Sequence, residues 1–282
     1  MTGTLYIVAT PIGNLDDITY RAVDTLNLVD VILCEDTRHS LKLLQHYNIK
    51  KPLKSLHEHN ESKRSESVLQ EIAAGKSMAL ISDAGTPVLS DPGTRLVAAA
   101  VQQGVPVVPI PGPNAAAAAV STAGLHAANG FVFAGFPPEK RGERDKLYEL
   151  LDPLPMLLVF YIPPHDLRAR TGEFARRWPE RQAVICRELT KLHEEYIKGS
   201  FAELVKQVEE TRYKGEITLV IEGRAVHKRR EYEEDELRSM VKDALLSDVS
   251  LKDMGTKEVS RLLGEQFCVP SKQIYKILLS ME

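Results

Sequence analysis

Short apolar runs alternate with longer amphipathic stretches through the first 125 residues. The runs are residues 4–9 (TLYIVA), Val31–Cys34, Leu53–Leu56, Met78–Ile81 and Val105–Ile110. Each is rich in Val, Ile and Leu, and each ends in a polar loop, so each predicts a buried strand. Between the first two, Ile18, Ala22, Leu26 and Val29 recur at helical spacing, with Asp16 or Asp17 as the expected N-cap. Leu41 and Leu44 begin another helix, Ser62–Ala74 reads as a third closed by Gly75, and Leu96–Val101 belongs to a fourth. Strands in regular alternation with helices predict a mostly parallel sheet covered on both faces.

The pattern changes near His126. FVFAGF, MLLVFYI, QAVICREL, EEYIKG and ITLVIEG read as strands, separated by helical stretches around Arg144–Leu151, Leu167–Trp178 and Phe201–Glu210. The close spacing in CRELTKLHEEYIKGS predicts a mixed sheet with antiparallel pairs. Ala225–Asp235 is charged and without period, as a linker is. From Glu236 onward the chain reads as wholly helical. Val259, Leu262 and Leu263 face a small core, Phe267–Pro270 makes a turn, and Ser271 caps a last helix carrying Ile274, Ile277 and Leu278. The fold class expected is α/β in two domains, 1–125 parallel and 126–230 mixed, with a C-terminal all-helical module over 231–282.

A chain of 282 residues is long enough for two domains and a large core. No apolar run is long enough for a membrane span, and the first residues lack the basic and apolar regions of a signal peptide. Cys34, Cys186 and Cys268 are far apart and form neither a zinc set nor a disulfide framework, so a reducing, cytoplasmic setting is expected. The net charge of −3 argues against a general nucleic-acid binder, but it is uneven: −2 over 1–125, +3 over 126–230 and −4 over 231–282. The basic excess lies at Lys140, Arg141, Arg144 and Lys146, at Arg168, Arg170, Arg176, Arg177 and Arg181, and at Lys228, Arg229 and Arg230. Such a strip either docks a phosphate backbone or forms solvated helix faces with acidic neighbours.

Three loops carry the candidate chemistry. The segment ISDAGTPVLSDPG, Ile81–Gly93, places two acids, two glycines and two prolines between a strand and a helix, where open α/β sheets bind small polar ligands. TPIGN, Thr10–Asn14, stands where a dinucleotide fingerprint would fall, but only Gly13 is present. PIPGPN, Pro109–Asn114, leads into AAAAAVSTAGL, whose small residues suit either a closely approaching ligand or tight helix–sheet packing. No metal-binding motif stands out, and His57 and His59 read as polar loop residues.

These loops sit within longer motifs. TPIGNLDDIT, CEDTRHS, SDAGTPVLSDPG, PIPGPNAAAAAVSTAGL, GFPP and RELTKLHEEYIKGS resemble, in order, the signatures of the ribosomal RNA small subunit methyltransferase I family. The resemblance runs from about Leu5 to Gly223. It implies a class III, tetrapyrrole methylase-like fold. It also implies S-adenosylmethionine as cofactor, 2′-O-methylation of a cytidine ribose in 16S rRNA of the small ribosomal subunit, and a homodimer. One segment departs: Ile162, Pro163 and Pro164 stand before His165 where the family leads one to expect an acid and a small polar residue. Two other readings stay open: a methylase of tetrapyrrole intermediates on the same fold, and an RNA-binding assembly factor without catalysis.

On this reading the cofactor contacts Pro11, Ile12, Asp83, Ala84, Gly85, Val88, Gly112, Phe160, Tyr161 and Leu189. A ribose hydroxyl is a weak nucleophile, so a base or an oriented acceptor helps. Asp36, Arg38 and Asp91 are the catalytic candidates. Glu35 and Asp36 point to opposite sides of an extended segment, so one faces the ligand and the other caps a helix or pairs with a cation. Asp36 with Arg38 is the pair expected at the reacting hydroxyl.

Overall fold

The computed structural model describes residues 2–127, 129–209, 213–225, 232–248, 251 and 254–281. The first sheet holds β1 (Leu5–Val8), β2 (Val31–Cys34), β3 (Leu53–Ser55), β4 (Met78–Ile81) and β5 (Val107–Ile110). Every pair is parallel, in the order β3-β2-β4-β1-β5. β2 and β4 are buried at every position, which is why they read as unbroken apolar runs. The connections are α1 (Tyr20–Leu28), α2 (Thr37–His46), α3 (Glu58–Ala73) and α4 (Thr94–Gln102). Successive side chains of the sheet feed two cores. Ile32 joins Leu26 and Leu44 on one face, and Leu33 joins Ile72, Leu80 and Leu96 on the other.

Local chemistry moves three expected boundaries. Asp16 and Asp17 lie in a short 3₁₀ turn, Leu15–Asp17, and Thr19 caps α1 instead, its side chain accepting from the Ala22 N–H at 3.1 Å. α3 starts at Glu58, ahead of its apolar stripe, where the Asn60 side chain accepts from the His57 N–H at 3.0 Å and the His57 carbonyl accepts from the Asn60 N–H at 2.9 Å. β5 begins at Val107 rather than Val105.

The second sheet holds β6 (Phe131–Gly135), β7 (Leu157–Ile162), β8 (Gln182–Arg187), β9 (Glu195–Ser200) and β10 (Ile217–Ile221), ordered β6-β7-β10-β8-β9. Only β6 and β7 run parallel. One face is covered by α6 (Arg141–Leu151), α7 (Leu167–Arg177) and α8 (Phe201–Glu209). Its core contains Phe160, Phe174, Trp178 and Phe201. The opposite face, with Val159, Val184, Cys186 and Val220, is covered by α5 (Ala115–Ala123), which leaves the first sheet from β5. Ala116, Ala119 and Ala123 are buried there. The alanine run therefore packs a helix closely on a sheet, and it binds the two sheets together.

The chain divides into two compact units, Met1–Arg224 and Ala225–Glu282. The boundary expected near His126 falls between the two sheets, inside the first unit. The one expected at 230/231 lies outside the described residues. The second unit holds α9 (Glu234–Ser247), α10 (Thr256–Phe267) and α11 (Ser271–Leu279) around Leu237, Val241, Val259, Leu263 and Ile274. Ser271, expected as a cap, is the first residue of α11; Pro270 holds the cap position without a side-chain bond. Among the described residues no helix is long and apolar enough to cross a membrane.

Candidate active site

Loop one and the β4 loop are tied at the carboxyl end of the first sheet. Thr10 donates its N–H to the Gly85 carbonyl at 2.8 Å, Gly85 returns its own to Thr10 at 3.0 Å, and the Thr10 hydroxyl reaches the Ser82 carbonyl at 3.1 Å. Gly85 holds this position with a φ of +82°, where a side chain is strained, and a Cβ would lie 3.3 Å from Ile12. The tie sets Ile12, Asp83, Ala84 and Gly85 as one wall of a cleft of about 310 Å³. The facing wall comes from the second sheet: Tyr161, Ile162, Pro163 and Pro164 at the end of β7, and Gly215–Thr218 leading into β10. Ser90, Asp91, Ala115 and Phe136 also line it. A second cavity, of about 540 Å³, adjoins it. The two share Ile12, Asp83, Ala84 and Glu216, and Pro11, Gly13, His39 and Lys42 line the second alone.

The polar character of the cleft is acidic. Burial pushes Asp91 up to about 7, and the Glu35 and Asp83 carboxylates nearby add to the shift. Glu35 is raised too, by burial and then by Asp83. Burial also raises the Tyr161 phenol. A partly dehydrated cleft with several carboxylates and an apolar lining suits a cationic ligand with flat, apolar parts. No group of His, Cys, Asp and Glu able to hold a metal ion occurs among the described residues.

Asp36 adjoins this cluster through its backbone, its N–H donating to the Asp83 carboxylate at 3.3 Å, while its side chain is engaged elsewhere. Asp36 is the N-cap of α2: its Oδ1 accepts from the Arg38 N–H at 2.8 Å, and its Oδ2 pairs with the exposed Arg38 guanidinium at 3.0 Å. The Arg38 side chain and backbone bonds hold Asp36 down at about 2, which makes it a poor proton acceptor at neutral pH. Of the two adjacent acids, Asp36 is the helix cap and Glu35 is the one whose carboxyl is raised, by burial and then by Asp83.

The other expected residues sort by distance from the cleft. Ile12, Asp83, Ala84, Gly85 and Tyr161 line it, and Pro11 lines the adjoining cavity. Leu189 is buried behind Ile12. Gly112 lies against Ala9, where a Cβ would sit 3.1 Å from the Ala9 side chain. Two side chains turn away. Phe160 alternates with Tyr161 on β7 and is wholly buried among Tyr148 and Phe174. Val88, at a φ of +76°, packs toward Leu80 and Gly93 in the first-sheet core. Sequence reasoning missed Gly215–Thr218, Ser90 and Phe136. One signal was available: Thr218 is the sole polar residue inside the otherwise apolar ITLVI run.

A model of the tetrapyrrole (corrin/porphyrin) methylases matches residues 4–205, and the chain belongs to that class of methyltransferase. A ribosomal RNA small subunit methyltransferase I from Synechocystis sp. is 41% identical over 281 residues, covering 99% of both chains. A protein of the same name from Thermotoga maritima is 42% identical over 222 residues, covering 79% of this chain and 99% of its own. The chain is a member of the ribosomal RNA small subunit methyltransferase I family, and so an S-adenosylmethionine-dependent methyltransferase. Its fold is that of uroporphyrin-III C-methyltransferase from Thermus thermophilus, solved with S-adenosyl homocysteine. That structure has a TM-score of 0.58 at 19% identity and covers 78% of this chain and 97% of its own.

Proposed function

We propose that this protein transfers a methyl group from S-adenosylmethionine to the 2′-hydroxyl of a cytidine ribose in 16S rRNA of the small ribosomal subunit. The observation that carries the reading is the 41% identity with a small subunit methyltransferase across 99% of both chains. The cofactor fits the cleft: carboxylates at Asp83 and Glu216 suit a sulfonium and an ammonium, and the Gly85 backbone leaves an approach that a Cβ would narrow. S-adenosylmethionine supplies a methyl group already bonded to a good leaving group, so the protein's work is chiefly alignment and exclusion of water.

Asp91 is the group we assign to the hydroxyl proton. As the ribose oxygen bonds to the methyl carbon and the carbon–sulfur bond breaks, the oxygen loses its proton to the Asp91 carboxylate. A base held near 7 is matched to neutral pH. Where the family leads one to expect an acid, the apolar Ile162-Pro163-Pro164 segment lines the same cleft as Asp91. Lys42, in the adjoining cavity, gives an anionic strand one point of attraction. The working form is proposed to be a homodimer, which sedimentation in solution tests.

The deciding experiment is transfer of labelled methyl to small ribosomal subunits that lack the modification, with the modified ribose mapped by primer extension at low nucleotide concentration. A stop at one cytidine is expected. Bound cofactor without transfer overturns the RNA reading and leaves tetrapyrrole intermediates as the substrates to assay. Failure to bind S-adenosylmethionine by calorimetry leaves only an assembly factor.

A further inference from the structure

α7 runs from the rim of the cleft, since Pro163 and Pro164 line the cleft and the helix begins at Leu167. Beside it, between α7 and α8, lies a groove of about 720 Å³ lined by His165, Arg168, Gly172, Glu173, Arg176 and Val205 among others. Arg168, Gly172 and Arg176 follow one another at a spacing of four, so they share one face of the helix. At 1.5 Å per residue the two arginines are about 12 Å apart along the axis. Gly172 puts no side chain on the floor, and the Arg176 guanidinium reaches back over it: a Cβ at Gly172 would meet that guanidinium at 3.7 Å.

The arginines of α7 divide sharply by partner. Arg170 is buried, bonded to Glu173 at 2.9 Å and to Asp166 at 3.2 Å. Arg144 from α6 is equally buried, bonded to Glu173 at 2.8 Å and to the carbonyls of Pro138 and Glu139. The one acid in the groove is thus held between two guanidiniums. Arg168 and Arg176 are exposed, and neither guanidinium has a hydrogen bond or ion pair to any described residue. Two guanidiniums without partners along one groove, beside an acid already neutralised twice, make a site for anions spaced along a chain.

We infer that the α7–α8 groove binds the phosphate backbone of the RNA strand just outside the cleft, with Arg168 and Arg176 each on a phosphate. This rests on the ribosomal RNA reading above. The groove carries affinity and register but no sequence information, as backbone contacts do. It also narrows the basic strip seen in the sequence: Arg144, Arg170 and Arg181 are structural, the last bonded to the Asp152 carboxylate at 2.9 Å.

The test uses the full chain and unmodified small ribosomal subunits. In R168E/R176E the affinity for subunits is expected to fall about tenfold or more at moderate salt, and the plot of log affinity against log salt to become shallower by about one to two. KM for subunits rises accordingly, while S-adenosylmethionine affinity by calorimetry reports an intact cleft. Gly172→Leu fills the floor at a helical position without changing charge, and is expected to weaken binding without changing cofactor affinity. Wild-type affinity and salt slope in both variants overturn the groove. If the wild-type protein itself transfers no methyl to subunits, the failure belongs to the underlying functional reading instead.

Discussion

Two carboxylates that both follow a strand of the first sheet, Asp36 and Asp91, are held at opposite ends of their range. Arg38 holds Asp36 at about 2, and burial beside Glu35 and Asp83 lifts Asp91 to about 7. Asp91→Asn is expected to lower turnover roughly a hundredfold, the usual scale of a lost general base, with cofactor binding kept. Asp36→Asn keeps a capping side chain and is expected to hold turnover within a few-fold. Single-turnover rates of the two variants decide between them. The same shift sets a pH dependence. With its folded value above its unfolded one, Asp91 is protonated in the native state across roughly pH 4 to 7 while already ionised in the unfolded chain. Its contribution to stability is full at the acid end of that window and is lost as the pH rises through about 7. The methyl-transfer rate climbs over the same rise. Denaturation followed from pH 4 to 8 should show a decline in the wild type that Asp91→Asn flattens.

Between elements, the cleft depends on a clasp from one sheet to the other. The loop joining β8 to β9 donates nothing to the cleft directly, yet Thr190 Oγ1 accepts from the Asn14 N–H at 3.0 Å and Lys191 pairs with Glu188 at 2.8 Å and Glu216 at 3.2 Å. Gly13 sits beneath that loop: a Cβ would lie 2.8 Å from Thr190 Oγ1 and 2.9 Å from the Leu189 carbonyl, and against the Lys191 side chain. Gly13→Ala must therefore push the loop aside. The melting temperature should fall by a few degrees, and S-adenosylmethionine affinity should drop with it, because Leu189 packs behind Ile12, which is part of the cleft wall. A calorimetric scan and a titration check both; unchanged values in each remove the clasp from the site. The elements themselves were legible, since buried parallel strands and amphipathic helices leave strong periods. So were the TPIGN and SDAGTP walls, whose loop chemistry is local. What sequence could not place depends on alternation and return. Phe160 and Tyr161 are neighbours in the chain but lie on opposite faces of β7, and Gly215–Thr218 reach the cleft only because β10 inserts between β7 and β8.

For the whole molecule, the question is what the second unit adds. Every residue lining the cleft and its adjoining cavity lies between Pro11 and Thr218, inside the first unit. The second unit has a core of its own, from Leu237 to Leu278. The Thermotoga maritima relative is matched over 99% of its length by 222 residues, 79% of this chain. A chain ended after Arg224 is expected to stay folded and to bind S-adenosylmethionine with an affinity within a few-fold of the full chain, read by calorimetry. Its transfer to small ribosomal subunits separates two roles for the removed unit. Unchanged KM assigns the unit to stability alone, whereas a raised KM with preserved maximal rate makes it a second RNA contact. Loss of cofactor binding in a folded truncated chain, with circular dichroism unchanged over both sheets, is the result that breaks the argument, because it requires the second unit to complete the cleft.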